Sequence, residues 1–439
     1  MKILLMPSYL GDNCKEPIVF PLGLAYIASM INDHELVGWD PNIEQNAMDK
    51  LKNVLESFNP DVVCVSFRNV DSVFSDRPRS YYDPFVTMVK SIKQILPSCK
   101  LVVGGAGFSI FAEEIMIRNP EIDYGIVSEG ELSFPSLLKN FNHPERVKNL
   151  VMRRNGKLIS TERGEFVEFD RLPCPRRECF DLERYKKYPF AVGVQSSRGC
   201  MFRCIYCLHR FLMGRAYRLR SPEKVVDEIE YLVSQHGIDT FYFVDSVFNV
   251  PPDHARIICR EIIKRKLEIR WEACFRPDLL NINFMQEAVQ AGCQLFDFSP
   301  DGASDEAMHV LGKDMSVNDV ERTINFASKI EEAKVAYEFV YDLPYANKSH
   351  IFGLMRLFPK IMSKCGRKLR YLTLTKMRVY PHTPLYLLAL KQGKIDANID
   401  LLYPFHYESY SSRNPHNIIP YFLRGSSIIF RMLCKRFTF

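Results

Sequence analysis

Short apolar segments alternate with amphipathic ones along most of the chain. In the first 150 residues, five apolar segments have the length of buried strands, and the segments between them repeat apolar residues with a helical period. The predicted strands are KILLMPS, ELVGWD, DVVCVSF, KLVVGGAG and YGIVSEG. Strands that alternate with helices indicate an α/β fold with a doubly wound, Rossmann-like parallel sheet, in which ligands bind beyond the carboxyl ends of the strands.

The same alternation resumes near residue 191. The segments with strand character there are AVGVQSS, TFYFVDS, IRWEACF, QLFDFSP, AYEFVYDLP and LRYLTLTKM. About six β-α units predict a partial (β/α)6 barrel of the TIM type, whose active site would lie at the carboxyl ends of its strands. We therefore expect a Rossmann-like domain at 1–150, a linker with a small hairpin at 151–190, a partial barrel at 191–385 and a C-terminal extension at 386–439.

The pattern is weaker in the linker and in the extension. VMRRNGKLIS predicts a hairpin with Asn155 and Gly156 as its turn. The final IIFRMLCKRFTF mixes apolar and basic residues, which favours a terminal helix docked on the barrel, with contact to a membrane surface as the alternative.

Composition narrows the class of protein. Of 439 residues, 47% are hydrophobic and 25% charged, as in ordinary globular proteins. The net charge of +6 without a long Lys/Arg run does not indicate a nucleic-acid partner. The sequence contains no apolar stretch of about 18 residues, so we expect no transmembrane span. Thirteen scattered cysteines do not form a disulfide scaffold, so we expect a reducing, cytoplasmic location.

The segment SSRGCMFRCIYC carries the chemistry that is easiest to interpret. Its cysteines are Cys200, Cys204 and Cys207. Three closely spaced thiolates can hold three irons of a 4Fe-4S cluster and leave the fourth iron open to a small molecule. A structural zinc site or a chance grouping is the alternative, although no His or Cys pair follows at zinc-finger spacing.

The context of these cysteines resembles the signature of radical S-adenosylmethionine (SAM) enzymes, with Arg198-Gly199 before the first cysteine and Tyr206 before the last. In front of it, PLGLAYIAS, VVGGAGFSI and YGIVSEGELSFPSLL resemble the cobalamin-binding domain that precedes many of these enzymes. The resemblance implies three cofactors: a 4Fe-4S cluster, SAM and cobalamin. A flavodoxin-like domain with another ligand or none is the alternative for the first domain.

The resemblance places cobalamin contacts at two strand ends. Gly104 and Gly105 end one buried strand, where glycine lets backbone approach a bulky ligand. The next strand end begins a helix, whose free N–H groups can meet ligand oxygens. The residues there are Ser128, Glu129, Gly130 and Glu131.

The lower face of cobalt needs a separate prediction. The chain has no Asp-x-His-x-x-Gly motif, whose histidine ligates cobalt in methyl-carrying cobalamin proteins. The loop SFRNVDS follows the third strand and should face this side, so we expect Arg68 there, with Asn69 as second choice. Alternatively, Arg68 only pairs with Asp71 or Asp76.

The resemblance also implies SAM contacts. Tyr206 would pack near the adenine, Asp245 in FVDSVFN would meet the ammonium or ribose, and Arg276 in ACFRPDLL would pair with the carboxylate. Ser299 and Asp301 in SPDGAS stand where the family usually has Gly-x-Glu-Ser-Gly, so Asp301 keeps an acceptor with a shorter reach.

Residues expected to face the substrate come from two later segments, VYDLPY and RVYPHTPLY. They are Tyr341, Asp342 and Tyr380. The substrate itself stays open between a natural-product scaffold, a peptide, a tetrapyrrole and a lipid.

The resemblance implies a cobalamin-dependent radical SAM methyltransferase. A 5′-deoxyadenosyl radical would take hydrogen from an unactivated carbon of a small molecule or peptide, and methylcobalamin would supply the methyl group. This scheme requires an external electron donor such as flavodoxin or ferredoxin, and no catalytic acid or base. The alternatives are cyclisation, ring contraction or another reaction on the same cofactors, a non-catalytic cobalamin or Fe–S sensor, and a radical SAM enzyme whose first domain has lost cobalamin.

Overall fold

Two sheets and a linker between them make up the part of the chain that the structure describes. The structure is a computed structural model, and it describes residues 1–409 except 13, 15, 77, 346 and 347. The terminal helix predicted over 428–439 lies outside the described residues. Within them, no helix has both the length and the apolar character needed to cross a membrane.

The first sheet has seven strands in the order β2-β1-β3-β4-β5-β6-β7, and its first five strands are parallel. Strands β1 to β7 are Lys2–Pro7, Glu35–Gly38, Val62–Ser66, Lys100–Gly104, Tyr124–Ile126, Leu150–Arg154 and Lys157–Ser160. Helices α1 to α6 are Leu22–Ser29, Ala47–Phe58, Tyr82–Ile95, Ala106–Ile110, Ala112–Arg118 and Ser133–Lys139. The predicted Rossmann-like parallel sheet is confirmed.

The central strands β1, β3 and β4 are buried on both faces, because their apolar residues alternate between two cores. In β1, Ile3 and Leu5 belong to one core, whereas Leu4 and Met6 belong to the other. Period-two alternation with apolar residues at every position is what a sheet covered by helices on both faces requires.

The predicted hairpin forms, and it joins the first sheet instead of standing alone. Strands β6 and β7 pair antiparallel around Asn155 and Gly156, both with positive φ, and β6 also pairs antiparallel with β5. The rest of the linker contains three short 3₁₀ turns, Phe169–Arg171, Arg177–Cys179 and Leu182–Tyr185. Further 3₁₀ turns in the chain are Pro41–Ile43, Pro144–Arg146, Pro277–Leu279 and Gly366–Lys368.

The second sheet is a partial barrel of six parallel strands in the order β15-β14-β13-β12-β11-β8. Strands β8 to β15 are Gly193–Val194, Ser197–Arg198, Arg218–Leu219, Thr240–Phe243, Arg270–Phe275, Cys293–Asp301, Lys334–Asp342 and Leu369–Lys376. Helices α7 to α14 are His209–Met213, Pro222–His236, Pro252–Lys264, Ile282–Gln290, Asp305–Leu311, Val317–Ala327, Lys348–Cys365 and Pro384–Lys391.

The segment AVGVQSS, predicted as one strand, divides into two. Strand β8 ends at Val194, and β9 pairs antiparallel with β10 in a separate two-stranded ribbon. The backbone N–H groups of Ser196 and Ser197 donate to the carboxylate of Asp245 at 2.9 and 2.8 Å, so they leave the ladder of the sheet.

One hydrophobic core runs from the first sheet to the barrel. It includes Leu5 of β1, Phe169 of the linker, and Val194 and Phe243 of the barrel. The first sheet, the linker and the barrel therefore pack as a continuous unit, which fixes the carboxyl edge of the first sheet relative to the barrel.

Candidate active site between the first sheet and the barrel

A cavity of about 800 Å³ lies at the carboxyl ends of the strands of the first sheet. Its walls include the residues predicted to contact cobalamin, which are Arg68, Asn69, Gly104, Gly105, Ser128, Glu129, Gly130 and Glu131. The opposite wall comes from the barrel, through Gln195, Arg198, Leu212 and Met213. A cavity of this size suits a large organic ligand, and its place at the strand ends is the one expected for a doubly wound sheet.

Arg68 lines this cavity and is exposed. Desolvation by the surrounding protein atoms lowers the pKa of the guanidinium, whereas the negative charges of Asp40 and Glu16 raise it. Among the described residues, the Arg68 guanidinium has no hydrogen bond or ion pair, and Asp71 pairs with Arg378 at 2.7 Å. None of the described residues that line the cavity is a histidine.

Of the two glycines, Gly105 is required by the protein backbone and Gly104 is not. Gly105 has φ +98°, and a Cβ there would lie 2.7 Å from the carbonyl oxygen of Phe67. A side chain at Gly104 would only reach ordinary contact with the carbonyl of Ile126. The close approach of two strand ends therefore explains Gly105, and this approach shapes the wall of the cavity.

The loop of residues 127–131 contacts the barrel as well as the cavity. Glu129 accepts two hydrogen bonds of 2.8 Å from Arg218, and Glu131 forms an ion pair of 2.7 Å with Arg198. Ser128 has φ +70°, and its hydroxyl donates to the carbonyl of Leu212 at 3.2 Å. The two predicted cobalamin-side carboxylates thus hold arginines that flank the cysteine motif.

The three cysteines lie in the loop between β9 and β10. They are free thiols; Cys200 is buried and the others are partly buried. Burial raises the pKa of Cys204 and raises that of Cys207 to about 12, and the neighbouring thiols of the motif add to both shifts. The three thiols form no disulfide, and the charge of each affects the pKa of its neighbours. Such a set of sulfur donors is suited to iron, which binds thiolate sulfur.

A single metal ion needs several ligands that meet at one point. Among the described residues, no three His, Cys, Asp or Glu side chains converge closely enough to hold one metal ion. A 4Fe-4S cluster takes one thiolate per iron, so its cysteines need not converge on one point. The donor set therefore fits a cluster better than a structural zinc ion.

Asp245 supports the base of the cysteine loop. Its carboxylate accepts from the backbones of Ser196 and Ser197 and, at 2.6 Å, from the hydroxyl of Ser196. Burial raises the pKa of Asp245 to about 6, while these hydrogen bonds oppose the shift. The structure therefore places Asp245 as a brace for the cysteine loop, and its predicted contact with SAM stays a prediction.

Tyr206 and Asp301 meet beside the cysteines. The Tyr206 hydroxyl donates to the Asp301 carboxylate, which also forms an ion pair with Lys313. Lys313 donates to the carbonyl of Ser299. Burial opposes the charge on Lys313, but the Asp301 carboxylate raises the pKa of the amine above its ordinary value. The structure thus joins three predicted SAM residues through Lys313, which the sequence analysis did not identify although SPDGASDEAMHVLGK ends with it.

Arg276 is held against the cysteine loop. Its guanidinium donates to Asp278 at 2.8 and 2.9 Å and to the carbonyl of Asp314 at 2.9 Å, and it lies 3.7 Å from the ring centre of Phe202. Phe202 stands between two cysteines of the motif, so Arg276 packs on the loop itself.

The hydroxyl of Ser299 points to an acidic group inside the barrel. It donates to Glu338 at 2.8 Å, and burial together with the charge of Asp297 raises the pKa of Glu338 to about 7. Asp297 accepts from Tyr371 at 2.6 Å. Periodicity alone did not identify these interior acids, because they occupy strand positions that are normally apolar.

The three predicted substrate-facing residues have protein partners. Asp342 accepts from the backbone of Ser409 at 3.0 Å, and burial raises the pKa of its carboxyl. Tyr380 donates to Asp71 at 3.0 Å, and the Lys376 amine lies 5.7 Å from the ring centre of Tyr341. Their contact with a substrate stays a prediction.

Two family models match the chain. Residues 13–138 match the family described as B12 binding domain, and residues 194–356 match the family described as Radical SAM superfamily. The first match includes β2 to β5 of the sheet that borders the cavity, and the second includes the cysteine loop and β11 to β14 of the barrel.

Two curated relatives differ in coverage. An uncharacterized methyltransferase of Pyrococcus horikoshii is 25% identical over 402 residues, which is 90% of this chain and 82% of that protein. An anaerobic magnesium-protoporphyrin IX monomethyl ester cyclase of a Synechocystis species is 30% identical over 192 residues, which is 43% of this chain and 38% of that protein. The methyltransferase thus matches along nearly the whole chain, and the cyclase matches along less than half.

A solved structure shares the whole arrangement of the two sheets. It is the radical S-adenosylmethionine methyltransferase TsrM from Kitasatospora setae with cobalamin and a 4Fe-4S cluster bound. The TM-score is 0.77 at 20% identity, and the match covers 89% of this chain and 78% of that one. At this identity the likeness shows a common fold.

Proposed function

Because the chain belongs to the cobalamin-dependent radical SAM enzymes, with a B12-binding domain before a radical SAM domain, we propose that it methylates a carbon atom of a small-molecule or peptide substrate. The relative that matches along 90% of the chain is a methyltransferase, which supports this reaction over the others that the family carries out.

The cavity between the two sheets is the observation that carries the proposal. One wall holds the predicted cobalamin loops, and the other holds Arg198, which precedes the cysteine loop, and Leu212 and Met213 of that loop. A ligand in this cavity would border both the first sheet and the cysteine loop. Methyl transfer that uses a cobalamin and a cluster requires such proximity, because the reacting atoms have to come within a few ångströms.

When bound, the cluster and cobalamin would supply the reductive cleavage of SAM and the methyl group, so the protein's own tasks are binding, orientation and exclusion of water. Cys200, Cys204 and Cys207 would hold the cluster. Arg68 would face the lower side of the cobalamin, and its guanidinium, which has no free lone pair, would not ligate the metal.

We assign the SAM contacts to the group around Asp301. The Asp301 carboxylate accepts from the Tyr206 hydroxyl and pairs with the Lys313 amine. The same amine donates to the carbonyl of Ser299, which links Ser299 to this group. A buried and charged group of this kind can exchange one of its protein partners for a ribose hydroxyl with little loss of hydrogen bonding. Arg276 and Asp245 would act on SAM through the loop that they brace.

The setting of the reaction follows from its chemistry. Reduction of a cluster needs an external electron donor, for which flavodoxin or ferredoxin is our proposal. The described cysteines are free thiols, so we place the reaction in a reducing compartment, the cytoplasm.

Cyclisation without methyl transfer is the second candidate, because the cyclase relative is 30% identical over 192 residues. The two candidates differ in what they form from SAM. A methyltransferase of this kind converts SAM to both S-adenosylhomocysteine and 5′-deoxyadenosine, whereas a cyclase forms 5′-deoxyadenosine without S-adenosylhomocysteine.

The test begins with full-length protein purified without oxygen, reconstituted with iron and sulfide, and supplied with hydroxocobalamin. Bound cobalamin is measured by absorbance, and the cob(II)alamin state by EPR. We expect close to one equivalent of cobalamin and no nitrogen superhyperfine splitting. Absence of bound cobalamin would contradict the proposed function, and nitrogen splitting would contradict the assignment of Arg68.

A further inference from the structure

The cysteine loop has a stem, which is the antiparallel ribbon of β9 and β10. Arg198 in β9 lies directly across from Arg218 in β10, and the three cysteines lie in the loop between these strands. Cys200 follows Arg198 by two residues. Gly199 between them has φ +96°, and a Cβ there would lie 2.0 Å from the carbonyl oxygen of Ala216. The position of the first cysteine is therefore closely determined by the position of the ribbon.

The two arginines of the stem bind the loop of residues 127–131, which lines the cavity. Glu129 accepts from both arginines, at 2.8 Å from Arg218 and 3.2 Å from Arg198, and Glu131 pairs with Arg198 at 2.7 Å. The exposed fractions of the four side chains are 10% for Glu129, 5% for Glu131, 7% for Arg198 and 17% for Arg218. Two carboxylates balance two guanidinium groups, and little water screens their attraction.

Aromatic rings fix the direction of the Arg198 side chain. Its guanidinium carbon lies 5.0 Å from the ring centre of Tyr26 in α1 and 4.6 Å from that of Phe169 in the linker. The planar group also donates from Nε to Gln195 at 3.0 Å. Arg198, Gln195, Tyr26, Glu129 and Glu131 all border the cavity. Arg198 therefore reaches the cavity wall with its side chain and the cysteine loop with its backbone.

We propose that Arg198 is a positioning residue that couples the cobalamin cavity to the cysteine loop, so that occupancy of either site increases the affinity of the other. The inference rests on the proposed function, because it requires that the cavity takes cobalamin. A ligand that orders residues 127–131 also orders the stem through the four-charge network. Binding of a cluster by the loop then has a smaller cost in conformational entropy. By thermodynamic linkage, the cluster favours binding of the ligand in the cavity by the same factor.

The experiment compares hydroxocobalamin affinity in two states of the full-length protein. One state is depleted of iron with a chelator, and the other carries a reconstituted cluster; both are titrated without oxygen, with absorbance as the readout. We expect the cluster to tighten hydroxocobalamin binding by a factor within the usual range of roughly 5–150 for coupled sites. In Arg198→Met, we expect the two affinities to agree within about twofold.

A matched control removes an arginine that also joins the first half of the chain to the second, away from the cavity. Arg118→Met serves this purpose, because Arg118 pairs with Asp400 at 2.7 Å and the two side chains are 41% and 39% exposed. This variant is expected to keep the full cluster dependence of binding. Arg198→Lys retains a charge without the planar fork, and it should recover part of the coupling.

The possible outcomes separate the inference from the proposed function. Equal hydroxocobalamin affinity of the wild type in both states overturns the inference alone. A wild type that binds no cobalamin in either state overturns the proposed function and the inference with it. If Arg198→Met does not fold, the double variant Arg198→Met with Glu131→Gln is used, because it also removes the carboxylate that the first change leaves unpaired. Undiminished coupling in the double variant also overturns the inference.

Discussion

Asp71 and Arg378 form a buried ion pair of 2.7 Å between residues 307 positions apart in the chain. The same guanidinium donates to the carbonyls of Leu401 at 2.7 Å and Tyr403 at 3.0 Å. Arg378 therefore connects the loop that carries Arg68, the segment after β15 and the C-terminal extension.

Replacing Arg378 should destabilise the fold strongly. Arg378→Met leaves the Asp71 carboxylate buried without a cation, and we expect a loss of about 3–5 kcal/mol in the free energy of unfolding. Urea unfolding followed by tryptophan fluorescence measures the change. The control is Arg118→Met, whose partly exposed pair should contribute less than about 1 kcal/mol. Equal losses in the two variants would contradict the importance of burial.

The place of Arg68 is tested by a ligand that does give an axial bond. In Arg68→His, an imidazole would stand where the guanidinium faces the cavity, and we expect nitrogen superhyperfine splitting in the cob(II)alamin EPR spectrum. Asn69→His is the matched control at the neighbouring cavity residue, and its spectrum should stay unsplit. Splitting only in the Asn69 variant would move the assignment to that residue.

Each cysteine of the motif should be necessary for the cluster. Cys200→Ala, Cys204→Ala and Cys207→Ala each remove one of three thiolate ligands, so reconstituted protein should lose most of its iron and its absorbance near 400 nm. Cys174→Ala changes an exposed thiol elsewhere and should retain the wild-type iron content. Full iron content in any of the three variants would remove that cysteine from the ligand set.

Glu338 should make stability depend on pH. Its pKa is about 7 in the folded protein and 4.5 as an ordinary value, so the folded chain retains this proton to higher pH than the unfolded chain. The contribution is complete below pH 4.5 and is lost as pH rises through 7, with an upper limit of about 3 kcal/mol.

Glu338→Gln removes this titration. The variant should exceed the wild type in stability at pH 8, and the difference should vanish near pH 4.5; urea unfolding across this range measures it. Glu113→Gln, at an exposed helix position, should follow the wild type at every pH. A Glu338→Gln variant with the same pH dependence as the wild type would contradict the raised pKa.

The sequence predicted the features that depend on near neighbours. Spacing of a few residues defines the cysteine motif, and a short continuous apolar run defines β1 and β3, so local chemistry was enough. The doubly wound sheet and the partial barrel followed from the order of such elements. The turn at Asn155 and Gly156 was also a local property.

The remaining features depend on contacts between distant segments. Nothing near Glu129 in the chain indicates that Arg218, 89 positions away, will take its carboxylate, nor that Asp245 will bind the backbone at Ser196. The position of Asp245 at a strand end was predictable, whereas its partner was set by how β8 and β11 lie side by side. Lys313 was overlooked for the same reason, because its partner Asp301 becomes a neighbour only when the chain turns back after β13.

The continuous core from Leu5 through Phe169 to Phe243 has a consequence for exchanging modules between relatives. A cut within the linker would leave the inner faces of α1 and the first sheet as an apolar surface shaped for this particular barrel. A chimera with another B12 domain would therefore need the contacting faces transplanted as a matched set.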